Sequence, residues 1–391
     1  FQGRIAVGRV SRGTIKAGQQ ISLVKNEGGT TKGQIKELMI FEGLGKEKIK
    51  TEVGCGEIVA LMGLENFDIG DTVADAENPE GLAKFKVDEP TMSMLFTINN
   101  SPFFGKEGQF VTSRHVRDRL FKEIEKNLAM RLQETESPDR LLVFGRGILH
   151  LSILVETMRR EGYEFQLGQP QVLYKEIEGQ RHEPMELLTV QVPEQFSSRV
   201  IDNVTRRKGD ILNIEQKSDR TVLEFSIPAR GIIGLRNALL TATEGEAIIA
   251  HRFKGYEPYK GTIQTPRPGC IVSGENGAVV AYALDKLQDR GKFFVDPGEE
   301  IYIGQVIGES PKPGEELVVN VVRTKKLTNM RASGTDEKLN IAPAVKFSLE
   351  ECMEYIADDE YLEVTPKSLR MRKIHLSEVD RKRNAKKLQD A

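Results

Sequence analysis

Apolar residues alternate with polar ones along parts of this chain and recur every third or fourth position along others. The changes of period divide it. Up to about residue 87, short alternating runs (Ile5-Ala6-Val7, Ile21-Ser22-Leu23-Val24, Glu57 to Leu61) lie between glycine-bearing turns at Gly13, Gly18, Gly28-Gly29 and Gly54. Strands this short and this evenly spaced, with no helical period, predict a small β-barrel over 1–87. Asp88-Glu89-Pro90 reads as a junction.

From Thr91 the pattern is mixed. Met92, Met94, Phe96 and Ile98 alternate as a strand, then Val116, Leu120, Ile124 and Leu128 recur every fourth residue as an amphipathic helix opened at Thr112-Ser113. Strands at Leu132–Glu136 and Leu141–Phe144, a helix from Ile148 to Arg160 stopped at Gly162, and a strand Tyr163–Leu167 complete a βαββαβ order over 88–169. That is the ferredoxin-like arrangement. The order then repeats over 170–252. A strand at Leu187–Val192 leads to a helix carrying Phe196, Val200, Ile201 and Val204 and stopped at Gly209. Strands at Ile211–Gln216 and Val222–Ile227, a helix from Ile232 to Thr241 and a strand Ala247–His251 follow. Arg146-Gly147-Ile148 and Arg230-Gly231-Ile232 occupy matching strand-to-helix corners 84 residues apart, which marks two copies of one fold.

Beyond residue 252 the pattern is glycine-rich and irregular. Strands are expected at Gly269–Ser273, Ala278–Tyr282, Glu300–Ile307 and Leu317–Val322, and a helix at Leu349–Ala357 opened by the capping box Ser348-x-x-Glu351. The fold class is therefore multidomain β and α+β: a barrel, two ferredoxin-like domains, and a distinct α+β domain over 253–391.

Composition narrows the function only modestly. The 391 residues are 39% hydrophobic and 29% charged, and no run of eighteen apolar residues is present, so a membrane partner is not expected. Cys55, Cys270 and Cys352 are widely separated and odd in number, as in a reduced, cytoplasmic protein. The chain opens at Phe1, without Met and already inside a strand-like pattern, so it is expected to be the C-terminal part of something longer. Net charge is −2, but from Thr365 to Ala391 nine cations face three acids. Arg370, Arg372 and Lys373 belong to that cationic end, which suits a polyanionic partner as well as it suits a solvated face.

No catalytic pattern emerges. The Walker spacing, H-E-x-x-H, C-x-x-C and G-x-S-x-G are all missing, and the five histidines are isolated, so the chain is read as neither an enzyme nor a metal site. What stands out is Lys325-Lys326-Leu327-Thr328-Asn329-Met330-Arg331-Ala332-Ser333-Gly334-Thr335-Asp336-Glu337. A loop of that length has almost nothing to bury, and its cations, amide and hydroxyls suit RNA phosphates, 2′-hydroxyls and base edges. The Arg146 and Arg230 corners carry two readings, a carbonyl-satisfying arginine at a tight turn or a phosphate contact at a helix start.

These residues also carry a resemblance. Phe1 to Val10, Gly13 to Gln19, Gly56 to Leu64 and Ile69 to Thr72 resemble the β-barrel second domain of translational GTPases. Two βαββαβ domains joined directly through Gly168-Gln169-Pro170, the run Leu287-Gln288-Asp289-Arg290-Gly291, the loop from Lys325 to Glu337 and the basic tail are similar to the BipA (TypA) family. The resemblance implies a ribosome-associated GTPase of stress and cold adaptation that serves translation or large-subunit assembly, a monomer in the cytoplasm. It implies that GTP and Mg bind in a domain outside this chain, with no cofactor here. It also implies that the C-terminal domain reaches ribosomal RNA, ribosomal proteins and A-site tRNA through Lys325, Lys326, Thr328, Asn329, Met330, Arg331 and Ser333. Arg146, His150 and Arg230 would then face another domain or the ribosome. The alternative from the residues alone is a tandem ferredoxin-like regulatory module that binds a small molecule.

Overall fold

The computed structural model describes residues 4–389 apart from 27, 43–44, 50, 84–88, 218, 264–266 and 325–339. Contacts divide the chain into two units, Phe1–Asp88 with Glu123–Leu128, and Glu89–Lys122 with Ala129–Ala391.

In the first unit the longer strands are β1 Ala6–Arg9, β2 Gln20–Val24, β3 Thr30–Gln34, β4 Glu37–Glu42, β5 Gly45–Lys48, β6 Ile58–Met62 and β7 Thr72–Asp75. They form a four-stranded sheet in the order β1-β6-β4-β5 and a three-stranded sheet in the order β3-β2-β7. Among the described residues the hydrogen-bonded ladders do not close into a full ring, but a short ladder pairs Thr14–Ile15 with Val53–Gly54, and the Ile35 and Lys36 amides donate to the Gln19 and Met62 carbonyls at 3.0 and 2.8 Å. Ile21 and Leu23 of one sheet share one apolar cluster with Leu38, Val59 and Leu61 of the other.

The second unit opens with β8 Met92–Thr97, α1 Ser113–Ile124, β9 Arg131–Glu134, β10 Arg140–Gly145, α2 Ile148–Arg160 and β11 Phe165–Leu167. Their sheet runs β9-β10-β8-β11, all antiparallel, which is the fourth-first-third-second order of a ferredoxin-like module. Helix α2 forms because Leu151, Leu154, Val155 and Met158 fall on one face and are all buried there. The order recurs in β12 Gln180–Pro193, α3 Ser197–Arg206, β13 Asp210–Lys217, β14 Arg220–Pro228, α4 Leu235–Ala242 and β15 Ile248–Pro258, with sheet order β15-β12-β14-β13. The helix expected from Ile232 to Thr241 is broken: one turn, Ala229–Ile232, precedes α4, and Gly234 between them takes a left-handed φ of 67°.

The rest comprises β16 Gly269–Ser273, α5 Ala281–Leu287, β17 Val306–Ser310, β18 Glu316–Val319, α6 Leu349–Tyr355, β19 Glu360–Val364, β20 Leu369–Lys373 and α7 Glu378–Gln389. Helix α5 replaces part of the strand expected at 278–282, and buries Ala283 and Leu284. The expected single strand at 300–307 is interrupted by Gly304 at φ +82°.

Two features differ from a separate terminal domain beginning at 253. Residue 253 lies inside β15, which continues to Pro258 along β12. The last hairpin also does not stay with its own segment. Strand β19 pairs antiparallel with β11 (Phe165↔Val364, Gln166↔Glu363, Leu167↔Leu362), so β19 and β20 extend the first ferredoxin-like sheet. One apolar cluster accordingly joins Met94, Val143, Leu151 and Phe165 to Val272, Met353, Leu362 and Met371. Each such buried side chain contributes about 1.5–3 kcal/mol. The irregular segment keeps a second cluster of its own around Ile271, Leu284, Ile307 and Val321.

Candidate nucleic-acid interface

Residues 325–333, which carry seven of the RNA-contact candidates, lie outside the described residues. Both ends of that loop are held by the described fold. Upstream, β18 runs parallel to β16 from Cys270↔Glu316 to Ser273↔Val319, and the Val280 amide donates to the Val321 carbonyl at 2.9 Å. Val321 is fully buried, whereas Arg323 and Thr324 beyond it are exposed. Downstream, Gln288 grips the returning chain with both ends of its amide: Nε2 donates to the Asn340 carbonyl at 3.1 Å and Oε1 accepts from the Ala342 amide at 3.3 Å. Ile341 packs into the Val321 cluster, and the Val345 amide donates to the Phe293 carbonyl at 2.8 Å. Two anchored ends thus set the root of the loop, and the motif containing Gln288 gains a mechanical reason.

Arg370, Arg372 and Lys373 are corrected. None is free for RNA, because each answers a polar group inside the protein. Arg370 bonds Glu107 at 2.6 Å and Glu363 at 3.3 Å. Burial alone would lower its guanidinium, and Glu363 and Glu107 more than offset that, leaving it above its ordinary value. Arg372 is 2% exposed and donates to the carbonyls of Lys373 and Ile374, and burial holds it below its ordinary value. Lys373 sits between Asp359 at 2.7 Å and Glu360 at 3.0 Å. There too burial is outweighed, chiefly by Glu360, and the ammonium is raised.

Behind Arg370 lies a buried polar network that the sequence pattern did not reveal. Asn99 donates through Nδ2 to Glu164 at 2.7 Å and to Glu363 at 3.0 Å, and its Oδ1 accepts from Gln166 at 2.7 Å. Glu164 also accepts from the Gly105 and Gly108 amides, and Glu363 accepts from Ser101 and from the Tyr302 hydroxyl at 2.6 Å. Burial, then Glu363, raise the Tyr302 phenol well above 10.0. No single-residue signal announces such a network, since its members come from four separate stretches of chain.

The two repeat corners part company. Arg230 is another correction: it pairs with the fully buried Glu183, donates to the Gly261 carbonyl at 2.6 Å and lies over the Tyr259 ring. Its partner carboxylate is what drew it inward. Arg146, in contrast, is exposed. Its amide donates to His150 Nδ1 at 3.3 Å, which puts the imidazole proton on Nε2, and His150 is half-buried. On the same helix Leu149 and Ile153, one turn apart, are 66% and 58% exposed.

A groove of about 610 Å³ is lined by Glu156, Arg159, Lys346, Glu350, Lys367 and Arg370 among others. Apart from Lys367, these cations already pair with internal carboxylates: Arg159 with Glu156, Lys346 with Asp296 and Glu299, and Arg370 with Glu107 and Glu363. Among the described residues no group of three His, Cys, Asp or Glu is arranged to hold a metal ion, and no helix is long and apolar enough to cross a membrane.

Three family models match separate parts of the chain: elongation factor Tu domain 2 over residues 3–74, elongation factor G C-terminus over 180–267 and TypA/BipA C-terminal domain over 268–378. Relatives carrying the name large ribosomal subunit assembly factor BipA include one from Synechocystis, 45% identical over 96% of this chain and 62% of its own length. Another, from Escherichia coli K12, is 45% identical over 98% of this chain and 63% of its own. A third, from Bacillus subtilis, is 42% identical over 100% and 64%. The chain therefore spans somewhat under two thirds of the length of these relatives.

Proposed function

The chain belongs to the TypA/BipA family, and on that premise we propose that it is the ribosome- and tRNA-binding portion of a translational GTPase acting in large-subunit assembly and in stress or cold adaptation. The observation that carries this reading is the loop root. A strand and a glutamine clamp hold both ends of a segment containing Lys325, Lys326, Thr328, Asn329, Met330, Arg331 and Ser333. Such a segment on a rigid base gives RNA contact whose strength depends on salt. Exposed Arg146, with His150 beside it and the apolar pair Leu149 and Ile153, supports a second contact with another domain or with the ribosome. GTP and Mg would be held outside this chain, and the protein would work as a cytoplasmic monomer.

The test is co-sedimentation of the whole protein with ribosomes. Lys325→Ala, Lys326→Ala and Arg331→Ala together are expected to weaken association and flatten its salt dependence. Undiminished binding at every salt concentration would remove the loop from the interface.

A further inference from the structure

Among its described side chains, helix α7 buries no apolar face. Its aliphatic Val379 is 74% exposed, and its remaining described side chains are polar or small. A helix of that kind is held by other means or does not persist. Here the holding group is Arg381, the one strongly buried cation of the helix. It bonds both oxygens of Glu316 on β18, at 2.8 to 3.1 Å, and donates to the carbonyls of His375 and Leu376 at 3.0 and 2.6 Å. The same strand leads into the loop whose ends are clamped.

Fixing Arg381 leaves a charged strip facing solvent. Lys382 pairs with Glu378 at 2.5 Å. Arg383, Lys386 and Lys387 are exposed and have no ion pair among the described residues, where Asp380 is the remaining acid of the helix. Lys382 and Lys386, and likewise Arg383 and Lys387, are four residues apart, so like charges stand over one another along one stripe. That arrangement repels itself unless a polyanion neutralises it. The cations lie within about 7.5 Å of helix length. The lack of an apolar face argues against insertion at a lipid surface.

We propose that α7 is a second RNA-contacting element, distinct from the loop, which lays Arg383, Lys386 and Lys387 along the phosphate backbone of a duplex RNA. It shares with the proposed function only the class of partner. Arg381 acts as a positioning residue that fixes the helix to the strand at the root of the loop.

The experiment measures binding of the whole protein to a labelled RNA hairpin by fluorescence anisotropy across a potassium chloride series. Circular dichroism checks the fold, and phosphatidylserine vesicles serve as a parallel ligand. The triple variant Arg383→Ala, Lys386→Ala, Lys387→Ala is expected to weaken RNA binding about tenfold and to make the salt slope shallower by about two to three. Arg381→Ala is expected to weaken binding while retaining the slope, because the cations remain and only their placement is lost. If the triple variant binds RNA with unaltered affinity and slope, α7 is not a contact, and a loop variant that still loses affinity leaves the proposed function standing. If both variants are silent, both readings fall. Vesicle binding without RNA binding would overturn the proposal in favour of a lipid surface.

Discussion

Arg370 reaches across 263 residues of chain to Glu107, with Nη2 2.6 Å from Oε1. An arginine from the last β-hairpin thus clasps the stretch between β8 and α1 of the first ferredoxin-like module. Breaking a pair this well buried strands a carboxylate, so Arg370→Ala is expected to lower stability by about 3 kcal/mol. Urea unfolding checks this. Loss of RNA binding without loss of stability would count against the clasp.

Asn99 separates two buried carboxylates, Glu164 and Glu363, and donates a hydrogen bond to each. Asn99→Asp keeps the shape but removes both donors and adds a third acid. A destabilisation of more than about 3 kcal/mol is expected at neutral pH. Equal stability of variant and parent at pH 7 would rule out the network as drawn.

Gly304 turns the chain with a φ of +82°, and an added Cβ would lie 2.7 Å from the Leu376 Cα. The Lys373 amide also donates to the Gly304 carbonyl at 2.8 Å. Gly304→Val combines backbone strain with a backbone collision. A loss of about 2–4 kcal/mol is expected, with α7 more open to protease because Leu376 immediately precedes it. Proteolysis rates of the tail read the second effect separately.

The His251 imidazole pairs with Glu186, and that hydrogen bond raises its pKa above the ordinary 6.5 despite burial, with Glu354 adding to the same direction. A raised basic group contributes stability that is fully present below the unfolded value and lost as pH rises through the folded one. The stability difference between the parent and His251→Gln is therefore expected to be larger at pH 5.5 than at pH 8.5. Glu354 is raised mainly by burial and lowered by the charged imidazole, so the loss of that attraction in the variant acts in the same direction. Midpoints of urea unfolding at the two pH values decide the matter.

Much of the secondary structure was legible because single elements declare themselves. The helix expected from Ile148 to Arg160, with its stop at Gly162, is α2 at the bounds observed, and Ser348 with Glu351 marked the start of α6. Errors came where tertiary contact overrode local pattern. Residues 278–282 form a short apolar run that reads as a strand, yet from Ala281 the chain turns into α5, which buries Ala283 and Leu284. Pairing of β19 with β11 links residues nearly two hundred apart, which no local period encodes. The candidate interface was legible as a loop of unusual composition but not in its supports. A run of cations in Arg370, Arg372 and Lys373 looks the same in sequence whether it faces RNA or neutralises Glu107, Glu363, Asp359 and Glu360. Only the fold separates those roles. Helix α7 was missed, because the segment was read only as a cationic tail; the acid Glu378 four residues ahead of the base Lys382 was the signal that could have marked it.

The hairpin Glu360–Lys373 has a consequence for biogenesis. The edge of β11, with Phe165 and Leu167 fully buried, is covered by residues that lie nearly two hundred positions further along the chain. During synthesis that edge stays bare until β19 has emerged, so the first ferredoxin-like module is completed only after the second has been made.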